Sequence, residues 1–424
     1  MTILYNTLMR LYLLGAALAS PFSEKASLFY KGRKNLLRLI DQVMFKKAKD
    51  NKIKVWFHCA SVGEFEQARP LIEKLKKEYS GVSVVVTFFS PSGYELRKNY
   101  PFADFVFYLP MDTKGNAIRF IESVNPCCAI FIKYEFWKNY LSVLQKRGIP
   151  TYLVSGIFRR NQIFFKPWGA SFRNILKSFS HFYLQDTSSQ NLLKEIGFVN
   201  STVSGDTRFD RVFEITQTEI DIRGLNLFAK NGVCCVAGST WSPDEQLLVA
   251  FIKESSPLFK FVIAPHETDV QHIEKLESML EGIKFIRYSE TDSCPSADIT
   301  DASVFILDTV GLLSIAYRYG RFAYVGGGFG KGIHNILEAA TYGLPVVFGP
   351  NYQKFKEARD LIELGGAFSV NNSVSEVSSL FDSLFAEGNF YDNSSLVCRE
   401  YVQKNLGATD NILKSIAPVF NNNS

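Results

Sequence analysis

Cysteine is scarce in this chain, seven among 424 residues, and the seven follow no disulfide or metal spacing. Four of them form the neighbouring pairs Cys127-Cys128 and Cys234-Cys235 inside apolar runs, where a thiol behaves as a small apolar side chain. A reducing, cytosolic environment is expected. Neither C-x-x-C nor H-E-x-x-H occurs, so no structural or catalytic metal is expected and no cofactor is called for. Long apolar runs are missing as well. The one candidate, residues 3–19, is interrupted by Asn6, Thr7 and Arg10, and a run of about 17 residues is marginal for a full membrane span. Internal repeats and low-complexity blocks are absent, which excludes solenoid architectures.

Charge of one sign is also limited, at a net +5 overall, but its distribution is uneven. Residues 1–54 hold eleven Lys and Arg against three acids. A basic segment can bind nucleic acid, face solvent or meet a membrane, and its apolar neighbour decides among these. Here Lys25, Lys31, Arg33 and Lys34 follow the apolar stretch, a pattern suited to a helix lying on an anionic inner leaflet. Residues 1–50 therefore read as a membrane-associated segment. A cleaved signal peptide is the rival reading, because Ala17-Leu18-Ala19 resembles a cleavage site, although a positive leading region is nearly absent.

With 46% apolar residues, 424 residues can bury two ordinary cores. Short runs rich in Val, Ile and Phe alternate with longer amphipathic segments, the signature of repeated β-α units with parallel strands. The first series of runs covers 53–59, 82–89, 105–109, 128–132, 151–154 and 181–184. A second covers 233–237, 259–264, 284–286, 304–307, 322–325 and 345–348. Two doubly wound α/β domains are implied, at 51–215 and 233–395, joined by a polar linker at 216–232. A helical segment and asparagine-rich tail at 396–424 would end the chain.

In open parallel sheets, ligands collect beyond the carboxyl ends of the strands, and the unusual residues of this chain fall there. Gly326-Gly327-Gly328-Phe329-Gly330-Lys331-Gly332 follows a strand and precedes His334-Asn335-Ile336-Leu337-Glu338. Lys331 is followed by Gly332, so no Walker A forms, and the glycines do not fall as G-x-G-x-x-G. A helix starting near His334 would offer amides and the positive end of its dipole to phosphate, with Gly328 allowing close approach. Asn335 and Glu338, three residues apart, would share a helical face, and Glu338 would take ribose hydroxyls. Three further strand ends add Ser239-Thr240, His266, and Asp308-Thr309 with Gly311 as donor-side candidates.

In the first half, Ala60-Ser61-Val62-Gly63-Glu64 ends a strand, with Phe65 onward helical in pattern. Glu64 is the expected general base, poised between a helix N-terminus that favours its ionised form and burial that opposes it. Gly63 is expected to permit a tight turn, and Ser61 and Gly63 to border the acceptor. Glu135, within Lys133-Tyr134-Glu135-Phe136-Trp137, ends a later strand and would orient the acceptor or Glu64, unless it only pairs with Lys133 or Lys138. Residues 158–168 mix Arg159, Arg160 and Lys166 with Phe and Trp168. Such a surface suits nucleic acid or a phosphorylated, acylated acceptor; the basic, apolar N-terminus favours the lipid and argues against nucleic acid.

Taken together, Ala60–Glu64, Tyr108-Leu109-Pro110-Met111-Asp112, Glu135-Phe136-Trp137, Gly205-Asp206-Thr207-Arg208-Phe209-Asp210, Ala237-Gly238-Ser239-Thr240 and His334–Ala340 resemble the Kdo transferases. These are bacterial enzymes that attach 3-deoxy-D-manno-octulosonic acid (Kdo) to the lipid A precursor. The resemblance spans nearly the whole chain. It implies a GT-B fold of two Rossmann-like domains facing a central cleft, CMP-Kdo as donor, a lipid A precursor as acceptor, inversion, no metal, and the cytoplasmic face of the inner membrane. It also implies that Glu64 is the catalytic acid of the family pattern and Glu135 its second glutamate. The chain departs from that pattern at Leu312, at Lys133, at Ser155-Gly156-Ile157 and at Ala264-Pro265-His266, where a donor-side cation would be either missing or supplied by Arg208 or Lys331. Another GT-B nucleotide-sugar enzyme, or a catalytically silent membrane-bound module, shares part of these features.

Overall fold

The computed structural model describes residues 2–47, 52–230, 232–256, 258–386 and 388–421. The chain divides into two units, Met1–Arg211 with Gly407–Ser424 and Val212–Leu406. Each unit carries one seven-stranded parallel sheet.

The first sheet comprises β1 (Ile53–Cys59), β2 (Val82–Phe88), β3 (Phe105–Tyr108), β4 (Cys128–Ile132), β5 (Thr151–Gly156), β6 (His181–Leu184) and β7 (Ser201–Val203). Its order is β3-β2-β1-β4-β5-β6-β7. The central strands are covered on both faces, which explains their continuous apolar sequences. Along β1, Val55, Phe57 and Cys59 enter one core cluster with Phe65 and Leu71, and Trp56 enters the other with Phe120, Phe131 and Tyr140. Alternation places His58 on the Trp56 face, fully buried. A buried polar ring in such a strand requires partners, since burying it unpaired costs about 1–3 kcal/mol.

The second sheet comprises β8 (Val233–Thr240), β9 (Phe259–Pro265), β10 (Phe285–Arg287), β11 (Val304–Ile306), β12 (Phe322–Val325), β13 (Val346–Phe348) and β14 (Ala367–Ser369), ordered β10-β11-β9-β8-β12-β13-β14. Its core joins Phe261, Ile263, Phe322 and Tyr324 to Leu248, Phe251, Phe381 and Phe385 of the covering helices. All twelve expected runs are strands. The two unexpected ones, β7 and β14, are three-residue edge strands with partly exposed side chains, too short to leave an apolar run.

The segment expected to link the domains contains helix Leu225–Ala229, whose Leu225 and Phe228 are buried; residue 231 lies outside the described residues. The terminal segment is shared between the units. Helix Asn389–Lys404 stays with the second, while Ala408–Asn421 lays Ile412, Leu413, Ile416 and Phe420 into the core of the first. Asp210 starts that last helix by accepting from the amides of Gly407 at 2.6 Å and Thr409 at 2.7 Å. The tail at 422–424 lies outside the described residues.

At the other end, helix Thr2–Ala19 is pinned to the first unit by Tyr5, which donates to Asp112 at 2.7 Å, and by Asn139, which donates to Asn6 at 3.0 Å. Its outer side exposes Leu4, Leu8, Leu11, Leu14 and Leu18, and Phe22 beyond it is 91% exposed. Among the described residues, no helix is long and apolar enough to cross a membrane. Arg33 departs from its expected role as a membrane-facing cation. Its guanidinium stacks over Phe29 at 3.7 Å and donates to the carbonyls of Phe29, Phe89 and Leu109, and burial lowers its pKa to about 10.

Candidate functional site

In the first sheet the strand order reverses between β1 and β4, so the chain leaves these neighbouring strands in opposite directions and opens a crevice at their carboxyl ends. Glu64 follows β1 and Glu135 follows β4. The helix after β1 begins at Val62, three residues earlier than the sequence suggests, because Ser61 and Glu64 close a capping box. Ser61 Oγ accepts from the Glu64 amide at 3.4 Å, and Glu64 Oε2 accepts from the amides of Ala60 at 2.5 Å and Ser61 at 3.2 Å. Gly63 lies inside this first helical turn, and a Cβ there would meet nothing within 4 Å. It is not the tight-turn residue expected; its lack of a side chain leaves the helix start uncovered.

Burial and, after it, the negative charge of Glu135 push the Glu64 carboxyl up to about 7, against the opposing pull of the two amides and of Lys133. Both acids use one oxygen for the protein. Glu135 Oε2 accepts from Trp137 Nε1 at 2.5 Å and meets His58 Nε2 at 3.2 Å, which replaces the surface pairing with Lys133 or Lys138 weighed from sequence. Among the described residues no hydrogen bond reaches Oε1 of either glutamate. Lys133 itself sits at φ 66°, a left-handed conformation held directly after β4.

The second sheet reverses between β8 and β12. Here β8 carries an irregularity against β9 between Gly238 and Thr240, with Ser239 at φ 54°. Ser239 is partly exposed, whereas Thr240 is buried and donates its hydroxyl to Glu245 at 3.0 Å. The Thr240 hydroxyl is thus spent inside the core, not held out toward a phosphate as expected. Glu245 also meets His272 Nε2 at 2.9 Å.

The glycine segment after β12 differs most from expectation. The following helix is the single turn Leu337–Ala340, and 332–335 run without regular structure. The cause is local. The His334 amide returns to Gly326 at 3.2 Å, Gly332 takes φ 138°, and Asn335 Oδ1 caps Leu337 at 3.2 Å. Most amides of the loop are already accepted: Gly326 by Gly238, Gly327 by Asp244, and Gly330 and Gly332 by Gly327. No long helix N-terminus is available for an anion. Gly328 packs against Gly349, where a Cβ would come within 2.5 Å of backbone. Asn335 and Glu338 do meet, but through Asn335 Nδ2 donating to Glu338 at 3.0 Å.

Three rings cover this end of the sheet. Trp241 stacks on His266 at 4.6 Å, His266 on His334 at 4.5 Å, and Trp241 Nε1 donates to His334 Nε2 at 3.0 Å. An indole only donates, so His334 Nε2 must be unprotonated. Burial and then His266 lower the His334 pKa to about 4, which keeps the ring neutral. Farther along the edge, Asp308 accepts from the amide and hydroxyl of Ser289 at 3.0 and 2.5 Å, Thr309 is half-buried, and Gly311 takes φ 94° in open space.

The expected acceptor segment is only partly a surface. Phe158 and Phe164 belong to the core of the first unit, while Trp168 is 69% exposed. Arg160 pairs with Glu195 through both terminal guanidinium nitrogens, Arg159 lies 5.9 Å from the Tyr134 ring, and Lys166 is half-buried. Arg208, considered as a donor-side cation, pairs with buried Asp206 at 2.8 Å in the first unit. Burial alone would raise the Asp206 carboxyl, and Arg208 holds it below the usual range. Lys331 is exposed. Among the described residues no group of three or more His, Cys, Asp or Glu can hold a metal ion.

Three residues escaped the sequence reading. His58 carried a signal, a lone ionisable ring inside an apolar strand. Asp244 and Trp241 carried a weaker one, Trp-Ser-Pro-Asp-Glu at a helix start. Asp244 Oδ2 accepts from the amides of Trp241 and Gly327, both at 3.0 Å, and Oδ1 from Tyr324 at 2.8 Å, which locks the glycine loop to β8.

Comparison with known proteins shows what the chain is similar to. The profile of 3-deoxy-D-manno-octulosonic-acid transferase (kdotransferase) matches residues 35–211. A 3-deoxy-D-manno-octulosonic acid transferase of Haemophilus influenzae is 26% identical over 384 residues, covering 87% of this chain and 88% of that protein. One from Rickettsia bellii is 26% identical over 403 residues, covering 92% and 94%. Among solved structures, UDP-GlcNAc 2-epimerase from Neisseria meningitidis bound to UDP-GlcNAc aligns with a TM-score of 0.60 at 16% identity, covering 86% of this chain and 100% of that one. That likeness carries the fold, the GT-B pairing of two Rossmann-like domains.

Proposed function

We propose that the chain is a glycosyltransferase of the Kdo transferase family, to which its likeness runs over most of its length, and that it transfers Kdo from CMP-Kdo to a lipid A precursor in lipopolysaccharide synthesis, with inversion. One observation carries the assignment of the base: the Glu64 carboxyl stands at the β1–β4 reversal with a pKa of about 7 and one oxygen unengaged. A base with that pKa is half ionised at neutral pH and still strong enough to take a hydroxyl proton as the hydroxyl attacks. In the proposed step the acceptor O–H proton passes to Glu64. The freed oxygen pair bonds to the anomeric carbon of Kdo while that carbon's bond to the CMP phosphate oxygen breaks, and the electron pair leaves on CMP. Glu135 aligns the acceptor through its unengaged oxygen.

The nucleotide is assigned to the second unit, at Ser239, His266, Gly328 and His334, with Asp308, Thr309 and Gly311 along the same edge. Glu338 is assigned to the ribose. Ser61, Gly63, Arg159, Lys166 and Trp168 are assigned to the acceptor. The apolar row Leu4, Leu8, Leu11 and Leu18, with Lys25, Lys31 and Lys34 exposed nearby, supports a helix lying on the cytoplasmic face of the inner membrane.

The test is incubation of the purified protein with CMP-Kdo and an acylated lipid A precursor, read by mass spectrometry of the lipid. A Kdo-bearing product is expected from the wild type and none from Glu64→Ala, with CMP protection against heat kept in both. Turnover by Glu64→Ala at the wild-type rate would remove Glu64 from the base role.

A further inference from the structure

Glu135 occupies residues 133–137, a stretch with no helix or strand. Of its two donors, Trp137 is only two residues away in the same loop, with its ring packed on Phe89 at 4.7 Å. His58, on β1, is the donor from another element. The ring is fully buried, and its far nitrogen Nδ1 lies 2.8 Å from Thr87 Oγ1 on β2.

The direction of this chain of bonds follows from valence. Trp56 Nε1 lies 2.8 Å from the same Thr87 oxygen and can only donate. The Thr87 proton therefore has two places to go, the Phe57 carbonyl at 3.4 Å or His58 Nδ1 at 2.8 Å. The shorter bond wins on geometry. With Nδ1 accepting, the neutral ring carries its proton on Nε2, where it faces a carboxylate. The opposite tautomer would set a lone pair against Glu135 and leave the weak bond to Phe57 as the only outlet for Thr87. A buried histidine with both nitrogens satisfied is often structural; this one ends its bonds on an acid at the carboxyl edge, and its sequence neighbours are otherwise apolar up to Cys59.

We propose that His58 is a positioning residue for the transfer reaction: the relay Trp56–Thr87–His58 fixes one tautomer and uses its Nε2–H to hold the Glu135 carboxylate against β1. This rests on the reading of Glu64 and Glu135 given above and adds the group that sets Glu135 in place. The second oxygen of Glu135 is thereby presented in one direction, and a misplacement of about 1 Å at such a group can cost about 100-fold in rate.

Two measurements test it. Long-range proton–nitrogen correlation on the wild-type protein reads the tautomer directly; Nε2–H with a bare Nδ1 is expected for neutral His58, and Nδ1–H overturns the proposal whatever the activity. Kinetics follow on His58→Phe and His58→Gln. The phenylalanine keeps the volume and loses the donor, and kcat is expected to fall ten- to a hundredfold with the KM for CMP-Kdo unchanged. The glutamine amide reaches toward the Nε2 position and is expected to restore most of the loss. A His58→Phe variant with wild-type kcat sinks the relay; if Glu64→Ala and Glu135→Gln also turn over normally, the reading of the reaction falls with it.

Discussion

The two strand-order reversals solve opposite electrostatic problems. At β1–β4 the chain gathers ionisable groups, Glu64, Glu135 and His58, and burial together with the charge of Glu135 raises the Glu64 carboxyl. At β8–β12 it presents glycine, a strained serine and three stacked rings, while the nearby acid Asp244 is turned under the loop. A histidine held neutral fits the second place. On the proposed function the contrast separates the labour: the group that moves a proton titrates near neutrality, whereas the stretch assigned to the phosphate turns its nearest carboxylate, Asp244, under the loop. Both reversals also hold one non-glycine residue in the left-handed region, Lys133 and Ser239, each at a cost of roughly 1–3 kcal/mol.

The largest expected effect would break this contrast if it failed. Glu64→Gln should reduce kcat by about 10²–10⁴-fold, the range a positioned general base supplies, without changing CMP affinity measured by calorimetry. In the wild type, the reactive form is the carboxylate, so kcat/KM should rise with pH and level off above about 7. Glu135→Gln removes a negative neighbour and should move that rise toward lower pH. A profile unchanged in Glu135→Gln would show that the two acids do not sense each other.

Stability should reveal the same tuning with the sign reversed. The folded pKa of Glu64, about 7, lies above its ordinary value near 4.5, so the folded state prefers the protonated carboxyl. Its contribution is full in acid and is lost as pH rises through about 7. Glutamine cannot ionise and still suits the capping box. Glu64→Gln should therefore melt with the wild type at pH 4.5 and above it at pH 8, by up to roughly 3 kcal/mol or several degrees. Equal melting temperatures at pH 8 would mean that solvent reaches the carboxylate and cancels the shift.

How far these features could be read from the sequence differs between the two reversals. The positions of Glu64 and Glu135 were legible because an acid within a few residues of the end of an apolar run is placed by the run itself. The interior of the first sheet was equally legible, since strands covered on both faces leave unbroken Val-Ile-Phe runs. At β8–β12 the chemistry lies in backbone. Five glycines advertised a turn, but which amides remain open depends on Gly238 and Asp244, 80 or more residues earlier in the chain. Thr240 and Arg160 gave no sign in the sequence of the partners they take, Glu245 five residues on and Glu195 35 residues on. The placement of Ala408–Asn421 on the first unit hangs on Asp210, again a distant partner.

Asp244→Asn sharpens the second half of the contrast. Its Oδ2 takes two amides, and replacing that oxygen with an amide nitrogen would set donor against donor under Gly327. The loop should loosen, and CMP affinity should fall about tenfold, in line with roughly 1–3 kcal/mol for a buried group left unsatisfied. The acid limb of the pH profile should stay where it is, because Glu64 senses Glu135 and Lys133 and no group of the second unit among its main influences. A shifted limb would tie the two reversals together electrostatically.

The smallest effect expected is at Arg160, and it matters because the sequence ranks Arg159 and Arg160 alike. Arg160 already forms a two-nitrogen pair with Glu195 on an exposed surface, while the Arg159 side chain faces the ring of Tyr134, next to Glu135 in sequence. An exposed pair is screened by solvent and salt and adds little to a fold. Arg160→Ala should leave the acceptor KM within twofold of wild type, and Arg159→Ala should raise it severalfold with kcat nearly constant, the mark of lost binding that is uniform between ground and transition state. If Arg160→Ala raised KM as much as Arg159→Ala, the Glu195 pair would have to open when the acceptor binds, and the whole segment 158–168 would return to the acceptor surface.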